Sequence, residues 1–461
     1  MKTSILPRNG RLDVPVPVVG LQNMLLCTKL SSLYVEASPR LMLVDTESDA
    51  YTDIGVSAPS GSLIYKDGRY FLICPTGRGN NAQLCLYLSD STDFQGIAPT
   101  SLLSSSCCQT DSWRDPFVFR RGTVWEMLCG ARSKSVSSGR RGCVARFISS
   151  DLLTWEEADP CYLPGSLSAP PASPCLFETE GMEYLLYTSL SDRIGTQYRF
   201  RKSGEKRWLI PPHDLLDSRA FLGGRVMSCG AKLILCGVLP TRACNAWGYN
   251  PGVYAGNDYN TWDEGGSLVF HELRIESPGL LQCAPPQAEY AALPLSWLPL
   301  NGDWAIASGD IRVSSPYGMS QAISAQNVPD HCLLRLEVHQ GDNCRKFGLV
   351  LFAEDAFDEG YYFYFEPDLS RVQFRSSFRM TEQGSWAFPQ EIELEQFYPQ
   401  AKEGITRIEL TREADIIRLW VNGAALSLRA GDRISGRFGL TVSHGDVDFG
   451  QPTLLIPSSD L

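Results

Sequence analysis

The chain has no apolar run long enough to span a membrane. No secretory leader is expected at its start either, because "MKTSILPRNGRLDVPVPVVG" is broken by polar residues and prolines. Basic clusters are equally scarce. Lys and Arg are scattered as singles and pairs, and the 461 residues carry a net charge of −11. Bare nucleic acid and anionic membrane surfaces would therefore meet general repulsion, and neither is expected as a partner. Histidine is rare: His213, His271, His331, His339 and His444 are dispersed, which favours neither a metal centre nor a Ser-His-Asp system. No metal site is expected. The 15 cysteines are odd in number, unevenly spaced, and often embedded in apolar strands, as with Cys27, Cys74, Cys129 and Cys236. That pattern predicts reduced, buried thiols in a cytoplasmic protein rather than a disulfide framework. Long helical periodicity is also missing from the first two thirds.

What is present is a repeat. An apolar strand, a short polar turn and a second apolar strand recur five times: "PVVGLQNMLLC", "SLIYKDGRYFLIC", "FVFRRGTVWEMLC", "CLFETEGMEYLLY" and "RVMSCGAKLILCG". Asp67-Gly68 and Glu180-Gly181 sit where tight hairpins need residues tolerant of positive φ. The copies recur every 45 to 58 residues, the interval of one propeller blade. Two copies are followed by a further shared element, "LSDSTDFQ" and "ISSDLLTWE". The expected fold is all-β: a five-bladed β-propeller over residues 1–290, then a β-sandwich of concanavalin type over 291–461. A Pro-containing stretch, "CAPPQAEYAALPLSWLPLNG", separates them. Beyond it, short alternating strands and Asn422-Gly423 support the sandwich. The aromatic run "YYFYF" reads as core, with a sugar-binding face as the alternative.

In a propeller, residues at the blade starts converge on the central axis. Here those segments are "RLDVPVP", "VSAPSGS", "SWRDPFVF", "PPASPCLF" and "SRAFLGGRV". They hold two carboxylates, Asp13 and Asp115, and glycoside hydrolysis calls for two acids in one pocket. Trp113, Trp247 and Trp262 are candidates to stack on sugar rings, with core packing as the alternative.

The ordered series of motifs resembles glycoside hydrolase family 32, the β-fructosidases. Arg114-Asp115-Pro116 matches that family's RDP motif, followed by "RRGCVARFISSDLLTWEEADPCYLPG", "DSRAFLGGRV", "GVLPTRA" and "WDEGGSLVFHEL". "FAEDAFDEGYYFYFEP" and "LWVNGAALSL" are similar to its C-terminal sandwich. The resemblance implies that Asp115 holds the fructosyl hydroxyls and stabilises the transition state, with Arg114 and Trp113 beside it. It places Asp13 as the nucleophile equivalent, the alternative being an incidental acid on an edge strand. Ser60 and Ser62 fall on a serine-glycine-serine segment like one in the family's second blade and are expected, with Arg114 and Trp113, to bind substrate. It also implies a metal-free mechanism without cofactors.

One family signature is altered. E-C-P-D-L-F, whose Glu is the general acid/base, corresponds to "ASPCLF", so Ala172 stands where that Glu is expected. Glu178, Glu180 and Glu183 are near in sequence but belong to the hairpin turn and its flanks. Two readings follow for a carbohydrate partner of β-fructoside type, sucrose or fructo-oligosaccharide. One is a glycosidase with an impaired or altered mechanism. The other is a binding protein without catalysis.

Overall fold

The computed structural model describes residues 4–5, 11–30, 39–76, 83–102, 108, 113–135, 139–191, 193–240, 265–285, 288–307, 309–341, 343–354, 359–379, 386–387, 394–400, 404–430 and 434–458. Apart from one single-turn 3-10 helix at Pro367–Leu369, the described regular structure is all strand. Contacts divide the described residues into two compact units, one ending at Leu281 and the other beginning at Gln282.

The first unit is the propeller. Blade 1 comprises Arg11–Pro17, Met24–Leu30, Arg40–Asp45 and Tyr51–Ser57. Blade 2 comprises Ser62–Lys66, Arg69–Thr76, Gln83–Ser89 and Thr100–Ser101, and blade 3 Arg114–Arg121, Val124–Arg132, Gly142–Ser149 and Glu156–Tyr162. Blade 4 comprises Ala172–Thr179, Met182–Ser189 and Gly195–Lys202, and blade 5 Leu222–Cys229, Lys232–Pro240 and Gly266–Ser277. Within each blade, strands pair antiparallel in chain order. The first strands of blades 1 to 5 touch their neighbours in a closed ring, so they line the axis. Closure comes from the start of the chain. Ser4 and Ile5 pair with Val269 and Leu268 of blade 5, while Leu12 of blade 1 pairs with Gly266. A propeller whose first strand completes its last blade ties the ring shut.

Sequence chemistry accounts for the blades. At two hairpins both turn residues have positive φ, +51° and +81° at Asp67-Gly68 and +53° and +72° at Glu180-Gly181. That geometry matches the right-handed twist of the flanking strands. Alternate strand residues fill the spaces between blades. Ile64, Ile73, Trp113, Met127, Phe147 and Trp155 form one such core, and Ile5, Leu12, Leu25, Ile234 and Phe270 another. The shared element after two hairpins is a carboxylate-capped turn. Asp151 accepts N–H bonds from Leu153 and Thr154, both at 2.8 Å, while Trp155 folds inward. Asp93 does the same with Gln95 at 2.9 Å, beside buried Phe94. The described cysteines are all free thiols.

The second unit is the sandwich, described by itself. Its long strand Arg437–Asp448 pairs with Asp310–Asn327 and Lys346–Ala353, then reaches His331–Gln340 through Val447 and Asp448. Asn422-Gly423 turns a hairpin with φ of +47° and +86°. Of the "YYFYF" run, Tyr361, Tyr362, Phe363 and Phe365 are buried. Half-buried Tyr364 is covered by Lys346, whose Nζ lies 3.6 Å from the ring centroid. The run is core. Among the described residues no helix is long and apolar enough to cross a membrane.

Candidate functional site: a ring of strand bulges on the propeller axis

Four of the five axial strands carry a bulge at the same place. The pairing register slips between Asp13 and Val16, Arg114 and Phe117, Ala172 and Cys175, and Leu222 and Arg225. The second residue of each bulge is left-handed: Val14 (+46°), Asp115 (+54°), Ser173 (+49°) and Gly223 (+69°). In three of the four, the third residue is proline. A bulge is one of the few sites inside a sheet where proline's missing N–H costs no ladder bond. The repeated Pro therefore marks the bulge in the sequence. A bulge also re-aims a side chain, which suits residues meant for a shared centre.

The bulges meet. Ser60 of blade 2 accepts the Asp115 N–H on its Oγ (3.1 Å), and Asp115 Oδ2 accepts the Ser173 N–H (2.8 Å). A Cβ built on Gly223 would lie 3.6 Å from Ser173 Oγ and 3.7 Å from Pro15 Cδ. Blades 2, 3, 4, 5 and 1 are thus joined in order around one centre. A second tier repeats the theme: Ser62 Oγ accepts the Val118 N–H (3.1 Å) and Cys175 Sγ the Val226 N–H (3.5 Å). Ser60 and Ser62 are both buried and act as rivets between blades.

Asp115 is 4% exposed. Besides the Ser173 N–H, its Oδ2 has the Ser173 hydroxyl at 3.5 Å and Arg114 Nε at 3.6 Å. Arg225 of blade 5 donates from Nη2 to the Asp115 carbonyl oxygen at 2.9 Å. Burial of Arg225 lowers its pKa, opposed by the negative charge of Asp115 and by the surrounding thiols. Burial drives the Cys27 thiol well above its usual value, reinforced by Cys236 and Asp13 and opposed by Arg225. Cys175 is pushed up to about 11 and Cys236 to about 12, mainly by burial. The axial thiols are therefore protonated and inert at neutral pH.

Asp13 is half-buried and accepts its neighbour Val14's N–H on Oδ1 at 2.9 Å. It lies on the same ring as Asp115 but holds a different place in its bulge. Asp13 is a first residue, like Arg114, Ala172 and Leu222, whereas Asp115 is a second residue, like Val14 and Ser173. Ala172 itself is buried, paired with Thr188. Glu178 and Glu183 pair with each other at the far end of that hairpin, and Glu180 is in its turn. Six residues of strand from Ala172 to Glu178 span about 20 Å. Glu183 is in addition held by Arg121 and Arg201, and Glu178 by Ser203. None of the three reaches the ring.

Arg114 is half-exposed at the ring's edge. A Cβ on Gly130 would strike its Cγ at 2.9 Å and the Pro171 carbonyl oxygen at 1.9 Å, so only glycine fits there. Trp113 is buried between blades 2 and 3 with its ring 5.4 Å from Phe147. Trp247 and Trp262 lie outside the described residues. Arg225, Ser173 and Gly223 are members of the ring to which motif reading assigned no site role. Their signal was the shared position of "SP" in "ASPC" and "GG" in "LGGR", visible once the bulges are aligned.

No family model matches the sequence, and no curated protein does. Solved structures do match, over the whole length. The sucrose-6-phosphate hydrolase of Lactobacillus gasseri superposes with a TM-score of 0.69 at 14% identity, covering 100% of this chain and 93% of that one. The fold is that of the family 32 β-fructosidases. The GH32 β-fructofuranosidase of Bombyx mori has it too, at TM-score 0.64 and 15% identity over 99% of this chain and 93% of that one. So does a glutamate-to-alanine form of the fructofuranosidase of Schwanniomyces occidentalis, solved with fructosylnystose. There the TM-score is 0.66 at 9% identity, over 99% of this chain and 96% of that one. At such identities a β-fructosidase fold survives while most side chains have changed, so function has to be argued from the ring.

Proposed function

We propose that the propeller ring binds a β-fructoside, with Asp115 as its anchor, and does not hydrolyse it by the two-carboxylate route. The observation that carries this reading is the contrast between two bulges. Blade 3 keeps a carboxylate held by the Ser173 N–H and flanked by two arginines, while blade 4 presents Ala172 where a proton donor is expected. A fixed carboxylate is a good acceptor for vicinal sugar hydroxyls. A missing general acid removes about 10² to 10⁴ in rate, most severely for a poor leaving group such as a sugar alkoxide. The neighbours favour retained binding as well, since the glutamate-to-alanine form from Schwanniomyces occidentalis carries fructosylnystose.

A second reading is favoured by Asp13, a half-buried carboxylate on the same ring. With a leaving group that needs no protonation, Asp13 would attack the anomeric carbon and Asp115 would stabilise the transition state, leaving a fructosyl ester for water to cleave. Calorimetric titration with sucrose, a short fructan and an activated aryl fructoside, with product analysis in parallel, tests both. Saturable binding without fructose release, lost in Asp115→Ala, supports the binding reading. Release from the aryl fructoside alone, abolished by Asp13→Ala, supports the second. Absence of binding to all three ligands overturns both.

A further inference from the structure

The ring contains one residue that stability alone does not explain. Arg225 follows the blade 5 bulge, the place taken by Val16, Phe117 and Cys175 in blades 1, 3 and 4. It is 0% exposed. A buried guanidinium is costly unless every N–H is satisfied. Here Nη2 has the Asp115 carbonyl oxygen, while Nε and Nη1 have no hydrogen-bond partner among the described residues. The guanidinium carbon lies 5.7 Å from the Phe117 ring centroid, and the thiols of Cys129, Cys175 and Cys236 surround it. An apolar side chain of similar length would avoid that desolvation cost, at the loss of the bond to the Asp115 carbonyl oxygen.

What Arg225 does is hold Asp115 from the opposite side of the axis, across 110 residues of sequence. Asp115 sits in the left-handed region, where a non-glycine residue stays only if its surroundings over-determine it. Its N–H is fixed by Ser60, its carboxylate by Ser173 and its carbonyl oxygen by Arg225. The charged and titratable groups around it are Arg114 on its own strand, Arg225 from blade 5 and the protonated thiol of Cys129 on the next strand. Arg225 is the one of the two arginines that is fully buried and so escapes solvent screening.

We propose that Arg225 is a positioning residue for ligand recognition: through the Asp115 carbonyl oxygen it locks the Asp115 backbone in its bulge, so that the carboxylate is aimed at the sugar hydroxyls. The proposal rests on the fructoside-binding reading for its purpose, though not for its geometry. Two variants test it, Arg225→Met and Arg225→Lys, each measured for melting temperature, for affinity toward a short fructan, and for the carboxyl ¹³C shift of Asp115 without ligand. Arg225→Met is expected to melt within a few degrees of the wild-type temperature, the lost bond being offset by the desolvation no longer incurred, yet to bind at least tenfold more weakly, with the Asp115 signal displaced from its wild-type position. Arg225→Lys is expected to recover part of the affinity and part of the wild-type signal position. Unchanged affinity and an unchanged Asp115 signal in Arg225→Met would overturn the proposal. So would parallel losses of melting temperature and affinity in both variants, with no recovery by lysine. If the wild type binds no fructan but the Asp115 signal moves as expected, the binding reading falls and the positioning role of Arg225 stands.

Discussion

Asp115 is the residue on which the proposed reading turns, because its side chain holds an architectural bond and, in that reading, would also hold the ligand. Its Oδ2 satisfies the Ser173 N–H, and a buried N–H left without an acceptor costs about 1 to 3 kcal/mol. Asp115→Asn keeps an oxygen for that bond and removes only the charge. The variant is expected to melt within a few degrees of wild type, while fructan affinity, measured by calorimetry, falls at least tenfold. Asp115→Ala should lose both. Equal affinity in wild type and Asp115→Asn would show that the carboxylate does not face the ligand. Parts of this were legible in the sequence. The RDP triplet drew attention to Asp115, and the ASPC segment to Ala172. The offset between Asp13 and Asp115 was not legible, because a bulge register is set by pairing with strands such as Met24–Leu30 and Val124–Arg132. Trp113 illustrates the same limit: next to a motif it suggests a sugar platform, and only the packing of blade 2 on blade 3 shows it buried.

Among elements, the hairpins were the most readable feature, since Asp67-Gly68, Glu180-Gly181 and Asn422-Gly423 state their backbone conformation in their residue types. The first hairpin was harder. The first repeat copy, "PVVGLQNMLLC", reads from Pro17, whereas the axial strand runs Arg11–Pro17 and ends there, with Pro15 taken up by the bulge. Close approach between blades 3 and 4 depends on Gly130 in the same way. Gly130→Ala drives a methyl group into the Pro171 carbonyl and Arg114, and backbone on the far side cannot yield easily. A loss of about 2 kcal/mol or more is expected, read as a drop in melting temperature. By contrast, Gly139→Ala, with nothing within 4 Å of the new methyl group, should be near neutral.

The capped turn offers a pH test. N–H bonds from Thr154 and Leu153 lower the pKa of Asp151 below its ordinary value. A carboxyl depressed in the folded state stabilises it above the unfolded pKa, about 3.9, and the contribution is lost as pH falls through the lower folded value. The difference in melting temperature between wild type and Asp151→Asn should therefore be widest near neutral pH and narrow below about pH 4. Asp151 is fully solvated, so the effect is small. A gap that widens on acidification would contradict the assignment.

For the whole molecule, closure of the propeller is the organising event. The described start of the chain completes blade 5, and Ile5 packs into the core shared by blades 5 and 1. Ile5→Ala is expected to cost about 2 to 4 kcal/mol, more than its place near a chain end would suggest, and thermal unfolding measures it. A loss below about 0.5 kcal/mol would mean that the ring closes without this strand. Five repeated hairpins predicted five blades, whereas the pairing that shuts the ring joins the two ends of the repeat and has no local signal. The β-fructosidase fold is thus preserved as a closed ring of five axial strands that brings four bulges together, and the chemistry depends on what each bulge presents. Two present carboxylates, Asp13 and Asp115, and the one expected to supply a proton presents Ala172. The most direct test is a crystal structure after soaking with a short fructo-oligosaccharide. An uncleaved ligand is expected on the axis, its terminal fructosyl hydroxyls within hydrogen-bond distance of the Asp115 carboxylate. A cleaved fructose bonded to Asp13, or a ligand bound away from the ring, would contradict it.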